Sequence, residues 1–332
     1  MAVSPPLLHP AFIGGAAVDH ESPRNTDLYI QQLIASLDSL VDGEAAASML
    51  VRCGQPAVPP LSQFLLTGRP RTIALPRCRA VRALEELGAY STLLAYFREY
   101  EPPADAEVLF AEDAVRSAVA QSLLSWKSEE VFRTLLEAGR QRVTNGLILA
   151  LAEFKRPESV PLFFAALEDD LCREAAKEGL RKVPEVAREY AILSIRGRTE
   201  SDLFELPARR RKRATVQLLS EFGVTRDEWA DLRDFIHEQD PAILVAVSQL
   251  GFRVAPESEY PEIVQALFRA SIEANWAQED DIIQLLEAHR DLACQAGWIL
   301  VWERRARGER PNWLVPFWRI LRHVLGRQLE EI

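Results

Sequence analysis

Apolar residues three and four positions apart recur along almost the whole chain from Thr26 onward. In DLYIQQLIASLDSLV, the residues Leu28, Ile30, Leu33, Ile34, Leu37, Leu40 and Val41 form one continuous stripe, the spacing that collects side chains on one face of a helix. No segment keeps the apolar/polar alternation of a half-buried strand, so the pattern predicts an all-α chain.

The helical segments also resemble one another. CRAVRALEELG (78–88), RSAVAQSLLSW (116–126), NGLILALAEFK (145–155), EAAKEGLRKV (174–183), RATVQLLSEFG (213–223) and LVAVSQLG (244–251) each place small residues at mid-helix and apolar residues near the end. Aligning Leu84, Leu123, Leu151, Leu180, Leu219 and Val247 gives spacings of 39, 28, 29, 39 and 28, with a mean near 33. That is the length of a two-helix repeat unit. The two long spacings coincide with EPPADAE (101–107) and RGRTESDLFELPAR (196–209), which are predicted insertions. A second pattern alternates with the first: AVPPLSQFLL and SVPLFFAALED align Val58 with Val160, Pro59 with Pro161 and Leu65 with Leu167, each 102 residues apart. Proline suits the first helical turn, where its missing N–H has no intrahelical partner, so these prolines mark the start of the second helix of a unit.

This pattern resembles HEAT repeats of the bacterial type also found in phycobilisome lyases. There the second helix begins near V-P-x-L and ends in L-x-D, and V-R opens the next unit. LEDDLCREAAKEGL (167–180) carries the likeness through Leu167, Asp169, Arg173, Ala176 and Leu180, and EDAVRSAVAQSLL (112–124) through Asp113, Val115 and Arg116. The likeness covers roughly 45–255. It implies a right-handed α-solenoid of about seven to eight antiparallel helix pairs, in which each pair buries its face on the next. The division expected is a lead-in at 1–25, repeats over 26–274 and a divergent helical cap at 275–332. Asp113, Asp170 and Asp240 are placed to accept free N–H groups at helix starts, with Arg116 and Arg173 a turn further on to pair with such acids or with a neighbouring unit. Ala80, Ala83, Ala118, Ala150, Ala175 and Ala176 allow close helix approach.

Composition narrows the chemistry. A net charge of −10 disfavours a general nucleic-acid coat, although a local basic stripe remains compatible with it. The four cysteines are scattered without a C-x-x-C pair, which reads as free thiols and not as a zinc site or a disulfide framework. No stretch reaches 18 apolar residues, and the first residues lack the basic and apolar regions of a secretory leader, so no membrane association and a cytoplasmic location are expected. The five histidines show no metal spacing, and no nucleophile elbow, phosphate loop or H-E-x-x-H motif occurs. No catalytic residue, metal or cofactor is therefore assigned.

Three features stand out as candidate surfaces. Arg209, Arg210, Arg211, Lys212 and Arg213, with Arg196 and Arg198 nearby, form a basic run that reads as a site for phosphate or an acidic partner, or as a solvated helix start. Trp276, Trp298, Trp302, Trp313 and Trp318 crowd the C-terminal part. Trp298 and Trp302 share a helix face near Arg304, Arg305, Arg307 and Arg310, which reads as an interface hot spot or as the core of the cap. Glu99, Glu101, Asp105, Glu107, Glu112 and Asp113 read as an exposed acidic loop. The expected function is a non-enzymatic scaffold that binds a partner protein on a curved surface. Two alternatives are a nucleic-acid-binding protein, including an alkylpurine DNA glycosylase-like one using Trp276 and Asp280, and a chromophore lyase-like protein suggested by repeat type alone.

Overall fold

The computed structural model describes residues 23–68, 71–99, 102–196, 206–312 and 314–326. Among them the chain forms eighteen α-helices with short 3₁₀ turns and no strand. The helices are α1 (Pro23–Ser36), α2 (Gly43–Cys53), α3 (Val58–Thr67), α4 (Leu75–Glu86), α5 (Tyr90–Arg98), α6 (Ala106–Ser122), α7 (Glu129–Gln141), α8 (Asn145–Ala152) and α9 (Val160–Ala166). They continue with α10 (Arg173–Arg181), α11 (Pro184–Arg196), α12 (Leu206–Phe222), α13 (Arg226–Leu232), α14 (Pro241–Val254), α15 (Tyr260–Ala270), α16 (Trp276–Ala288), α17 (Arg290–Ala306) and α18 (Pro316–Leu325).

The chain divides into two compact units, residues 1–96 with 101–115 and residues 97–100 with 116–332. In the first unit α1 packs on α2 and α3, and α4 packs on α2 and α3. In the second unit α8 and α10 pack together, and α12, α14, α16 and α18 form a row of neighbours; α9, α11 and α13 form another, and α15 lies beside α17. The rungs between rows include α7–α8, α9–α10, α14–α15 and α17–α18. A helix thus touches its chain neighbour and the next but one. The pattern runs through residue 275 unbroken, because α16 packs on α14 and α17 on α15.

The residues that set the sequence register are the most buried ones. Leu84, Leu123, Leu151, Leu180, Leu219 and Val247 are all fully buried, as are Ala80, Ala150 and Ala176. The predicted proline starts of α3 and α9 are present, with Pro59 and Pro161 at the second helix position after a three-residue 3₁₀ turn, and α15 repeats the device with Pro261. The turn from an even helix to the following odd one repeats a second device. Gly54, Gly88, Lys155 and Gly223 have φ of +70°, +71°, +51° and +80°, and their spacings of 34, 67 and 68 are one, two and two periods of about 34. A left-handed residue just past a helix end reverses the chain at once, which glycine does without steric cost. Lys155 alone does so with a side chain.

A cation sits seven residues before four of the register positions, at Arg77, Arg116, Arg173 and Lys212. Arg77 is buried in the first unit and donates to Glu112 at 2.7 Å. Arg71 at 3.3 Å and the Tyr96 hydroxyl at 2.5 Å complete the carboxylate's shell. In the second unit Arg116, fully buried, donates to the carbonyls of Ala138 at 2.9 Å and Arg142 at 3.2 Å and lies over the Phe97 ring. In the first repeat this position is Gly43, and Arg79 fills the space, since a Cβ on Gly43 would lie 2.0 Å from the Arg79 Nη1.

Several expectations are corrected. Glu112 is not part of an exposed acidic loop: it is 1% exposed within α6, because helix α6 turns it inward onto Arg77. Asp105 of the same stretch caps α6, accepting from the N–H groups of Glu107 and Val108, and Glu101 lies outside the described residues. The apolar stripe of α1 ends at Ser36, and Leu40 and Val41 project from the turn that follows. Only Asp240 of the three predicted capping acids caps a helix, accepting from Ala242 N–H, whereas Asp113 lies within α6 and Asp170 pairs with Arg173. The second insertion is partly helical, since α12 starts at Leu206; Arg198 and the rest of 197–205 lie outside the described residues.

Burial alone would push the Glu112 carboxyl up, but its bonds to Arg77 and Tyr96 and the charge of Arg71 outweigh that and hold it below the ordinary value. A carboxyl depressed on folding stabilises the protein above the ordinary carboxylate range near pH 4.5, and that stability is lost as pH falls through the lower folded value. Glu112→Ala, which leaves Arg77 buried without its partner, is expected to cost about 3 kcal/mol in urea unfolding at pH 7 and to flatten the acid limb of the stability curve. At Gly54, Gly88 and Gly223 an added Cβ meets nothing within 4 Å. Substitution by Ala there should cost about 1 kcal/mol through backbone strain alone, whereas Lys155→Gly should be neutral or stabilising by up to about 1 kcal/mol in the same assay.

Candidate functional site

Helix α17 turns Ala293, Gly297 and Val301 inward, four residues apart and all buried. Gly297 is small because α18 crosses close by, with Leu321 and Leu325 carbons 3.2–3.3 Å from where a Cβ would stand. The opposite face of α17 does not follow the usual rule of polar residues outside. It presents Ile299, 58% exposed, and Trp302, 59% exposed, one turn apart. Beside Ile299 opens a groove of about 240 Å³ between α15, α17 and α18. Phe268 and Phe317 are buried in its lining, and Ile272, Ile299, Glu303 and Arg269 line it as well.

The Trp/Arg cluster divides between core and surface. Trp318 is buried, Trp298 is half-buried, Trp276 and Trp302 are exposed, and Trp313 lies outside the described residues. Arg304 is committed internally: its guanidinium lies 4.0 Å from the Phe317 ring centre and pairs with Glu309 at 2.5 Å. Arg305 is free of that role and stands 5.8 Å from the Trp302 ring, so the exposed aromatic carries a cation at its face. Ile299 and Ile272 were not singled out in the sequence. The available signal was Ile299 three residues before Trp302, an aliphatic residue on what should be the polar side.

The basic run forms the early turns of α12, and most of it is neutralised within the second unit. Arg210 pairs with Asp170 at 2.9 Å, Arg211 with Glu168, Lys212 with Glu238, and Arg213 with Asp240 at 2.6 Å. Lys212 is buried and also lies 4.5 Å over the Phe235 ring. Arg209 is exposed, and the side chain of Arg196 is outside the described residues. The acids that meet this run come from the turns before α10 and α14, which are far away in sequence and adjacent in the helix rows.

Trp276 and Asp280, the pair considered for base excision, are both exposed on the first turns of α16. His289 fills the break between α16 and α17, stacked on Phe252 with ring centres 3.8 Å apart, and burial pulls its pKa down. Among the described residues no group of three or more His, Cys, Asp or Glu side chains is placed to hold a metal, and no helix is long and apolar enough to cross a membrane. No family model, curated protein or solved structure matches the chain. Lys212→Ala is expected to lower stability by about 2 kcal/mol, because Glu238 loses its buried partner, while Arg209→Ala should shift it by less than about 0.5 kcal/mol. Paired thermal melts measure both.

Proposed function

We propose that the chain is a HEAT-like helical-repeat scaffold, an α-solenoid without catalytic activity, that binds a partner protein through the exposed face of α17 and the groove beside it. The repeat reading is supported by the 34-residue period of left-handed turns and by the separate rows of even and odd helices. The binding reading is carried by one observation: Ile299 and Trp302 stand exposed on a helix whose other face is fully packed. An apolar anchor of the partner enters beside Ile299 between Phe268 and Phe317, and Trp302 with Arg305 offers a second contact on the outer face of α17. Because the scaffold is already ordered, little conformational entropy is lost on docking. A protein fits better than nucleic acid, since Arg210, Arg211, Lys212 and Arg213 already have carboxylate partners and the groove is lined largely by aliphatic and aromatic side chains.

Ile299→Glu with Trp302→Glu should leave the melting temperature nearly unchanged, because both side chains are on the surface. Affinity capture from the native cell, followed by mass spectrometry, should recover a stoichiometric partner with the unaltered chain. The double variant should weaken that interaction by roughly 30-fold or more, the size of a hot-spot loss. Retention of the same partner by both chains would remove α17 as the interface.

A further inference from the structure

The turn between α1 and α2, in the first unit, exposes two adjacent apolar side chains: Leu40 is 83% and Val41 86% exposed. This is not a frayed end. Arg79 of α4, itself buried, donates from below to the carbonyls of Leu37 at 2.7 Å and Ser39 at 2.8 Å and pairs with Glu44 at 2.9 Å. Ser39 Oγ accepts from Asp42 N–H at 3.0 Å, and Gly43 N–H bonds the Ser39 carbonyl at 3.1 Å. The turn is thus tied on its inner side at both flanks, with Leu40 and Val41 projecting outward. Leu75, one turn before Arg79 in α4, and Ile73 just before that helix are also exposed.

A second copy of this turn shows what the acid at the position of Asp38 takes. Residues 37–50 align without gaps on 167–180: Leu37 and Leu167 are fully buried, as are Leu50 and Leu180, and Val41 matches Leu171, which is 72% exposed. In that copy, in the second unit, Glu168 at the position of Asp38 is held by Arg211, and Asp170, at the position of Leu40, by Arg210. Those arginines stand nine and eight residues before Leu219 of α12. Nine and eight residues before Leu84, α4 carries Leu75 and Pro76 instead. Asp38 therefore stands exposed, and Asp42, which aligns with Cys172 and accepts from the Ser39 hydroxyl at 3.2 Å, stands exposed on the other side of the apolar tip.

We propose that the Asp38–Asp42 turn is a docking point for a partner protein segment with apolar side chains flanked by Lys or Arg. Leu40 and Val41 contact the apolar part, and Asp38 and Asp42 pair with its cations, as Glu168 of the matching turn pairs with Arg211. The exposed acids oppose approach to an anionic lipid surface.

The test is fluorescence anisotropy with the full chain and two labelled synthetic amphipathic peptides, one with its leucine face flanked by Lys and the other with Glu in place of every Lys. The Lys peptide is expected to bind at least about tenfold tighter, with the preference shrinking as salt rises. Leu40→Ser with Val41→Ser should weaken it by at least about tenfold, and Asp38→Lys with Asp42→Lys should shift preference to the Glu peptide. Circular dichroism melts confirm that each variant is folded. Equal affinity for the two peptides, no measurable binding of either, or binding unaffected by the Leu40/Val41 change would overturn the proposal. Binding to anionic vesicles lost on the same change would assign the turn to lipid instead, and a sedimentation mass that falls on that change would assign it to a second copy of the chain.

Discussion

The constraint on which the rest of the structure depends is the burial of cations within the even helices. A guanidinium withdrawn from water costs several kcal/mol unless its donors are met. Arg77 meets a carboxylate from α6, and Arg116 meets the last carbonyls of the α7 turn. The carboxylate that meets Arg77 lies 35 residues on, in the next even helix. The carbonyls that meet Arg116 lie 22 and 26 residues on, at the end of the following helix, so satisfying each cation fixes a later helix in place. Arg79 works in the opposite direction, reaching back to the carbonyls of the α1–α2 turn. Hydrophobic burial supplies the driving force for stacking but is indifferent to a slip of one turn. A buried ion pair tolerates no such slip, because the slipped state leaves a charge without a partner.

The same requirement decides which charges remain for other molecules. Where α12 offers arginines to the turn before α10, the acids of that turn and the basic run of α12 neutralise each other, and the segment that looks most like a binding site in the sequence becomes part of the frame. Where α4 offers Leu75 and Pro76, the equivalent acid, Asp38, stays on the surface. At the C-terminal end, Arg304 covers Phe317 while Arg305 stands over the exposed Trp302. Neighbouring residues of one kind thus hold different roles according to the side of the helix that faces the next row.

Much of the fold was legible in the chain. The helical class followed from apolar spacing, and the register from Leu84 to Val247 followed from self-comparison; every one of those residues is buried. The proline starts of α3 and α9 were legible for the same reason, since a residue without an N–H tolerates few places in a helix. Less of the site was legible. Glu112 reads as one acid in an acidic stretch, because nothing local marks the inward face of α6, and Arg77 is one arginine among many. Leu40 and Val41 extend the stripe of α1 in sequence, yet the helix stops at Ser36 and the following residues turn away.

What the sequence by itself determined is local and periodic: helix type, repeat length, the places where the chain reverses, and the residues that must be inside. These depend on interactions within one or two turns, which a linear pattern records. Only the tertiary structure decided which charges are spent and which surfaces are open. Arg210 and Asp170 are 40 residues apart, and Arg77 and Glu112 are 35 apart. Whether such groups meet depends on which face each helix presents to its neighbour in the row, and a single change at the facing position, Pro76 in one case and Arg211 in another, leaves an acid exposed or paired.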